Sequence, residues 1–355
     1  MSARTAQLVG RLGRRSGGLV PAAGAVVALL ALVALAGAMV GTTSIPAGVV
    51  LASAWNALPF AGARIDVPEG WERIVIDVRL PRVLTAGLVG AALATSGTAY
   101  QGVFRNALAD PFLLGVASGA ALGAALGIVL PIEGALPFGW VPLLAFAGAV
   151  IAVTLAYLAA KVGDSVSNAS LILSGVAVSA MAGAATSFIL LTAGERALTI
   201  FGFLFGSFNT ANWPRAIGGL PYLAAGVAVL LLHARVLNVL QLDEEQATQL
   251  GIDVPRTRII VLAAASLVAA TAVAMAGVIG FVGLIVPHIT RLIFGGDYRR
   301  LLPLAALLGA AFLIAADVLA RVALRPQEVP VGIITAIVGG PFFLSLMRAR
   351  RGGLR

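Results

Sequence analysis

Residues 259–278 of the chain read IIVLAAASLVAATAVAMAGV, an uninterrupted apolar run without a charged side chain. A run of about 20 apolar residues crosses the hydrocarbon core of a bilayer when it is helical. A helix is required there because the backbone, deprived of water, must satisfy its hydrogen bonds within its own segment. The run also lacks the strict alternation of a β-barrel strand. It therefore predicts a transmembrane α-helix.

Comparable apolar runs recur along the whole chain. Of 355 residues, 60% are hydrophobic and only 11% are charged, and the mean hydropathy is +1.01. This is too little charge to cover the surface of a soluble domain. We predict an all-α polytopic membrane protein with about ten transmembrane helices. The predicted spans are 20–40, 82–101, 112–130, 140–160, 170–192, 215–234, 259–278, 280–294, 301–321 and 331–347. The shorter apolar stretch Ala197 to Phe208 is predicted to be a re-entrant or interfacial helix.

The 24 arginine and lysine residues indicate the orientation. With the N-terminus inside, 16 of the 24 fall on the inner side and 8 on the outer side, which favours two cytoplasmic termini. We predict a basic N-terminus at 1–19, one transmembrane domain at 20–347 and a basic C-terminus at 348–355. The first apolar run is too long for a signal peptide and lacks an A-x-A site, so we expect it to be retained. The net charge of +9 is attributed to contact with membrane lipid rather than nucleic acid.

One sizeable polar helix is predicted between the spans, at 242–251 on the arginine-rich side. Asp243 can cap this helix, Glu244 and Glu245 suit the positive end of its dipole, and Gly251 can end it. Such a helix could lie in a groove of a cytosolic protein, and a solvated loop is the alternative. The chain has no G-x-x-x-x-G-K-[ST] phosphate loop, so we expect any nucleotide hydrolysis to take place on another protein.

Charged residues near the outer ends of two spans are further candidates. Arg79 and Arg82 open the second span and Arg321 ends the ninth. They could await the carboxylates of a partner, or they could contact headgroup phosphates. Asp317 lies one helical turn before Arg321, so it is either a functional intramembrane acid or a structural tie to that arginine.

The other sequence features indicate helix packing rather than chemistry. Four glycines recur at every fourth position of the third span, namely Gly115, Gly119, Gly123 and Gly127. This spacing is typical of helices that pack closely, and contact with substrate is the alternative. The chain has no cysteine and only two histidines, so no metal site and no bound cofactor are predicted. Asp317 is the one acid well inside a span, so the sequence offers few ionisable groups for an ion-coupled secondary transporter. The sequence also contains no recognisable motif of a membrane-embedded enzyme.

Several blocks of sequence between residues 75 and 347 resemble the permease subunits of type II ABC importers, the FecCD-type permeases. In the first half the blocks are RLPR at 79–82, GAAL at 90–93, LADP at 108–111 and LGV at 114–116. In the second half they are GFVGL at 280–284, VPH at 286–288, EVPVG at 328–332 and GPFF at 340–343. Ala107 replaces the proline that is usual before LADP.

The resemblance implies the type II permease fold with ten spans, in a bacterial inner membrane. It implies a permease rather than an enzyme, in an ATP-driven importer of ferric siderophores, haem or cobalamin, and ferric siderophore is our first expectation. The implied partners are a second permease subunit, identical or a paralogue, two cytosolic ABC ATPases that bind ATP and magnesium, and an extracytoplasmic solute-binding protein.

The resemblance also assigns roles to residues. It implies an ATPase-coupling segment at 241–258, with contacts from Asp243, Glu244, Glu245, Ala247, Leu250 and Gly251. It implies that glutamates of the binding protein dock on Arg79, Arg82 and Arg321. It implies an inner gate at Ser167, Asn168, Ala169 and Ser170. Asn168 and Ala169 stand where a relative carries small hydroxyl residues.

Overall fold

The structure is a computed structural model that describes residues 19–41, 43–58, 62–68, 70–130, 139–162, 165–242 and 244–352. Residues 1–18 and 353–355 of the predicted basic termini lie outside the described residues, whereas residues 348–352 belong to the last helix. The α-helices are α1 (Leu19–Met39), α2 (Ala47–Asn56), α3 (Trp71–Arg73), α4 (Leu80–Val103), α5 (Val116–Val129), α6 (Trp140–Ala160), α7 (Asn168–Thr192), α8 (Ala197–Leu204), α9 (Trp213–Leu232), α10 (Ala234–Val239), α11 (Glu244–Gln249), α12 (Val254–Ala276), α13 (Val282–Phe294), α14 (Tyr298–Val322) and α15 (Val331–Gly352).

Short irregular elements join these helices. A π-helical segment, Ile74–Arg79, connects α3 to α4, and 3-10 turns lie at Pro111–Leu114 and Gly194–Arg196. Two strands of two residues, β1 (Lys161–Val162) and β2 (Ser165–Val166), pair antiparallel before α7. The predicted all-α fold is confirmed, with this small hairpin as its one addition among the described residues.

Ten of these helices coincide with the ten predicted spans. They are α1, α4, α5, α6, α7, α9, α12, α13, α14 and α15. Five of them, α6, α7, α9, α12 and α14, are by themselves long and apolar enough to cross a membrane. Among the others, α5 and α13 are shorter apolar helices, and α1 and α15 each contain a shorter apolar stretch. The positions of the apolar runs therefore decided where the helices lie.

Several helix boundaries differ from the expectation by up to five residues, and two of these differences have a local cause. The third span was predicted from residue 112, but α5 begins at Val116 because Asp110 accepts a hydrogen bond from the Phe112 amide and caps a 3-10 turn. The predicted re-entrant helix was drawn to Phe208, but α8 ends at Leu204, since Gly206 has a φ of +66°. Glycine adopts this left-handed conformation without steric cost.

The central helix of the molecule is α4, in which every residue from Ala92 to Val103 is buried. It packs against α12, α13 and α14, while α5 packs along α6. Polar side chains also join α4 to α12. Ser96 donates a hydrogen bond to the carbonyl oxygen of Ala265 (2.7 Å), and the hydroxyls of Tyr100 and Ser266 lie 2.6 Å apart. Buried hydroxyls are costly without such partners, so these contacts fix the register of the two helices.

Candidate functional site

Five charged side chains gather where the π-helical segment, α4 and the end of α14 meet. We call this group the arginine cluster: Arg79, Arg82, Asp317, Arg321 and Glu328. Arg82 donates from Nε to both Asp317 oxygens (3.1 Å each) and from Nη2 to Asp317 Oδ1 (2.8 Å). Its Nη1 donates to Glu328 Oε2 (2.9 Å). Guanidinium groups with several parallel hydrogen bonds to carboxylates form the strongest ion pairs in proteins.

The other two arginines tie the cluster to the end of α1. Arg321 Nη1 donates to the carbonyl oxygens of Gly37 (2.9 Å) and Val40 (2.6 Å). Arg79 donates to the carbonyl oxygens of Val40 (2.6 Å) and Thr43 (2.8 Å). The last carbonyls of a helix have no partner within the helix and carry partial negative charge. The two guanidinium groups therefore satisfy the C-terminal end of α1.

This arrangement differs from the surface of waiting cations that the sequence suggested. Arg79, Arg82 and Arg321 are only 5%, 9% and 1% exposed. The carboxylate partners of Arg82 and Arg321 come from the same chain, and Arg79 donates to backbone carbonyl oxygens. The structural tie between Asp317 and Arg321 is present, with Arg321 Nε 3.0 Å from Asp317 Oδ2. Docking of a second protein on these arginines stays a prediction.

Near the other end of α14, a set of polar contacts holds α10 in place. We call it the α10 junction: Gly102, Arg105, Asn238, Gln241 and Asp297. Asn238 donates to Asp297 Oδ1 (2.7 Å) and accepts from the Tyr298 amide (2.8 Å). The hydrogen bond from Asn238 is the largest cause that holds the pKa of Asp297 below its usual value. α10 is thereby fixed to the first turn of α14.

The same junction fixes the chain after α10 to the end of α4. Gln241 donates to the carbonyl oxygens of Gly102 (3.1 Å) and Leu237 (3.0 Å). Arg105 Nε donates to the carbonyl oxygen of Leu240 (2.6 Å). Sequence reasoning did not single out Asn238 or Gln241. The one feature of the sequence that could have indicated them is that each places an amide side chain in a largely apolar stretch.

The predicted polar helix is present as α11, directly after this junction. Asp243, its expected cap, lies outside the described residues. Ala247 is fully buried in the apolar cluster that also contains Leu240 and Val254, whereas Glu245 is exposed and Leu250 is 63% exposed. A buried small residue thus anchors a short helix in which the side chains of residues 245, 246, 248 and 249 are exposed, while the side chain of Glu244 lies outside the described part.

Gly251 ends α11 in a left-handed conformation with a φ of +81°. The Gly251 amide donates to the carbonyl oxygen of Thr248 (2.9 Å) and the Ile252 amide to that of Ala247 (3.1 Å). These two hydrogen bonds form a Schellman motif, the usual end of a helix at a glycine. Asp253 then accepts from the Arg256 amide (3.0 Å) and caps α12. The segment is therefore rigidly shaped although it is short.

The four residues predicted as an inner gate lie at the start of α7. Ser167 caps that helix by accepting from the Ser170 amide (3.0 Å), and the two hydroxyls lie 2.8 Å apart. Ala169 is exposed. Asn168 Oδ1 is buried and has no hydrogen-bond partner among the described residues. The gate role stays a prediction.

The predicted glycine stripe faces α6 over most of its length. Gly119 and Gly123 lie so close to α6 that an added methyl group would overlap its backbone oxygens. A methyl group on Gly127 would lie 3.1 Å from Val141 Cα. Gly115 differs, since it precedes α5 with a φ of +83° and serves to start the helix. The side chains of the described residues form no group of three or more potential metal ligands.

Comparison with known proteins gives consistent matches over nearly the whole chain. The profile of the FecCD transport family matches residues 25–349. The cobalamin import system permease protein BtuC of Halobacterium salinarum is 48% identical over 299 residues, covering 83% of this chain and 80% of that protein. The hemin transport system permease protein HmuU of Yersinia pestis is 39% identical over 332 residues, covering 91% and 94%. A solved inward-facing conformation of a metal-chelate type ABC transporter superposes with a TM-score of 0.77 at 31% identity, covering 92% of this chain and 98% of that one.

Proposed function

Because this chain belongs to the FecCD transport family and is a permease of the ABC importer type, we propose that it carries a metal chelate, with a ferric siderophore as the first candidate. The relatives are named for cobalamin, hemin and ferric dicitrate, which are all metal ions enclosed by an organic ligand. The match over residues 25–349 is the observation that carries this proposal. Cobalamin is the second candidate, favoured by the 48% identity to the Halobacterium protein.

Uptake into liposomes distinguishes the candidates. The chain is reconstituted with its ATPase and supplied with its solute-binding protein, and labelled ferric siderophore, haem and cobalamin are offered in turn. We expect ATP-dependent accumulation of the ferric siderophore. Accumulation of cobalamin alone would select the second candidate. Uphill accumulation by the chain without any ATPase would refute the assignment as an ABC permease.

The energy for transport is proposed to enter through α11. We propose that two cytosolic ATPase subunits bind ATP and magnesium, and that each receives the 241–258 segment of one permease in a dimer. Three features support this. The exposed side chain of Leu250 offers an apolar contact, buried Ala247 anchors the helix, and the α10 junction connects its base to α4 and α14. Apolar side chains that fill a partner's pocket commonly dominate the energy of an interface.

The arginine cluster is proposed to face a solute-binding protein at the opposite end of α14. With α11 on the cytosolic side, the cluster lies on the outer side of a bacterial cytoplasmic membrane, and both termini are cytoplasmic. Three guanidinium groups against two carboxylates leave one positive charge in excess, which favours an acidic partner.

A further inference from the structure

The two carboxylates that hold Arg82 are not equivalent. Asp317 lies on α14 with its side chain 1% exposed, and it pairs with both Arg82 and Arg321. Glu328 lies on the non-helical connector between α14 and α15, its side chain is 22% exposed, and it contacts Arg82 through one oxygen. A partly exposed ion pair with a single contact is held less firmly than a buried pair with several. Glu328 is therefore the replaceable partner.

The cluster has unused capacity to bind an anion. It contains one more guanidinium than carboxylate, and Arg321 Nη2 is buried without a hydrogen-bond partner among the described residues. A guanidinium donor left without an acceptor in the interior is energetically costly. A carboxylate that takes the place of Glu328 could supply additional acceptors while the net charge of the cluster stays the same.

Burial of the three arginines and the contact of Glu328 with Arg82 keep an outside anion from the cluster. The three arginines are at most 9% exposed, whereas connector residues 323–327 are exposed to solvent. Glu328 follows them and accepts the hydrogen bond from Arg82 Nη1. A group that approaches from outside can bind Arg82 only after Glu328 has left.

We propose that Glu328 is an internal latch that a glutamate or aspartate of the solute-binding protein displaces from Arg82. This inference rests on the proposed docking of that protein at the arginine cluster. The displacing group is a carboxylate because Arg82 already contacts two carboxylates, at 2.8 and 2.9 Å. Exchange of one carboxylate for another preserves the charge balance around Asp317, so the cluster stays intact when the partner docks.

Displacement of Glu328 has a route into the membrane domain. The connector leads into α15, whose Gly332 amide donates to the carbonyl oxygen of Phe205, the residue that follows α8 (3.0 Å). The Val278 amide donates to the carbonyl oxygen of Phe203 in α8 (3.0 Å). Movement of the connector is therefore passed to the short helix α8 and to the turn between α12 and α13.

Binding of the solute-binding protein to the permease–ATPase complex in lipid nanodiscs tests the latch. In E328Q the internal competitor loses its charge, and we expect the Kd to fall about fivefold, as the loss of a partly exposed ion pair implies. Q327A, on the same connector but without a contact to Arg82, is the matched control with wild-type Kd. An unchanged or higher Kd in E328Q would overturn the latch. Tighter retention of anionic phospholipid in E328Q, with unchanged Kd, would also overturn it and assign the cluster to lipid headgroups.

A second variant separates the latch from the docking on which it rests. R82Q combined with E328Q removes a positive and a negative charge together and keeps the buried Asp317–Arg321 pair. We expect this double variant to lose affinity for the binding protein by at least tenfold, because it lacks the cation that docks. Wild-type affinity in the double variant would overturn the docking proposal and the latch with it. Lower affinity of the double variant together with a wild-type Kd in E328Q would overturn the latch and leave the docking proposal standing.

Discussion

Gly90 of α4 and Gly309 of α14 lie face to face, so that a methyl group added to either would overlap the carbonyl oxygen of the other. A methyl group on Gly97 would likewise overlap the backbone of Gly283 in α13. Lipid provides no hydrophobic force between helices, and close backbone approach at small residues is one of the main sources of their attraction. α4 is therefore held on two sides by backbone contact.

The Gly90–Gly309 contact makes a specific stability prediction. We expect G90A to lower the free energy of unfolding by about 1–3 kcal/mol, since the added methyl group meets backbone rather than a flexible side chain. Thermal unfolding in detergent or nanodiscs measures the effect. G24A in α1 is the control, because nothing lies within 4 Å of that position. Equal unfolding temperatures for the two variants would show that α4 and α14 are not in contact at this point.

Asp317 is expected to be the most sensitive residue of the arginine cluster. D317N leaves Arg82 and Arg321 without their shared buried partner, and loss of one member of a buried pair costs about 3–5 kcal/mol. E328Q, which removes the more exposed acid, should cost less than about 1 kcal/mol. Unfolding midpoints of the two variants provide the comparison. A smaller loss in D317N than in E328Q would contradict the arrangement of the two acids.

The exposed and buried residues of α11 should have separable effects on ATPase association. L250D places a charge on an exposed position, so we expect an unchanged unfolding temperature and at least a tenfold loss of co-purified ATPase. A247D places a charge in the apolar cluster beneath the helix, so both stability and association should fall. Wild-type co-purification of the ATPase with L250D would show that this face of α11 is not the contact.

The α10 junction should weaken in acid. The pKa of Asp297 is lowered in the folded protein, so its contribution to stability is present above the unfolded pKa and is lost as the pH falls through the folded pKa. We expect the Tyr298 amide to exchange with deuterium faster below about pH 4, after correction for the intrinsic rate. In N238A exchange should be fast at neutral pH as well, because the acceptor of that amide is absent. Slow exchange in N238A at neutral pH would contradict the role of Asn238.

The helices were predictable from the sequence, whereas most contacts between distant residues were not. The ten spans were predictable because a long apolar run has no alternative to a helix in lipid. The Asp317–Arg321 pair was also visible, since residues four apart share a helix face. The Arg82–Asp317 pair was not, because its members are 235 residues apart and only the packing of α4 on α14 joins them. α2 was missed because ten residues are too few to register as a span.

The burial of Arg79, Arg82 and Arg321 was not predictable from the sequence either. Their positions at the ends of spans suggested exposed cations, and nothing local in the sequence indicates that the C-terminal carbonyls of α1 lie within reach. The contacts of Arg79 and Arg321 with Val40 depend on the tertiary arrangement of three segments. Patterns along one helix are readable, whereas the environment of a charge is set by its neighbours in space.

Asp297 caps the start of α14 and Asp317 lies near its end, so one helix connects the α10 junction to the arginine cluster. The two aspartates are separated by about 30 Å along α14 at a rise of 1.5 Å per residue. Both ends of α14 are tied to other segments, so a rigid-body tilt of this helix would be felt at both sites. A tilt of roughly five degrees about one end would shift the other end by roughly 3 Å, enough to separate the paired atoms of a salt bridge there.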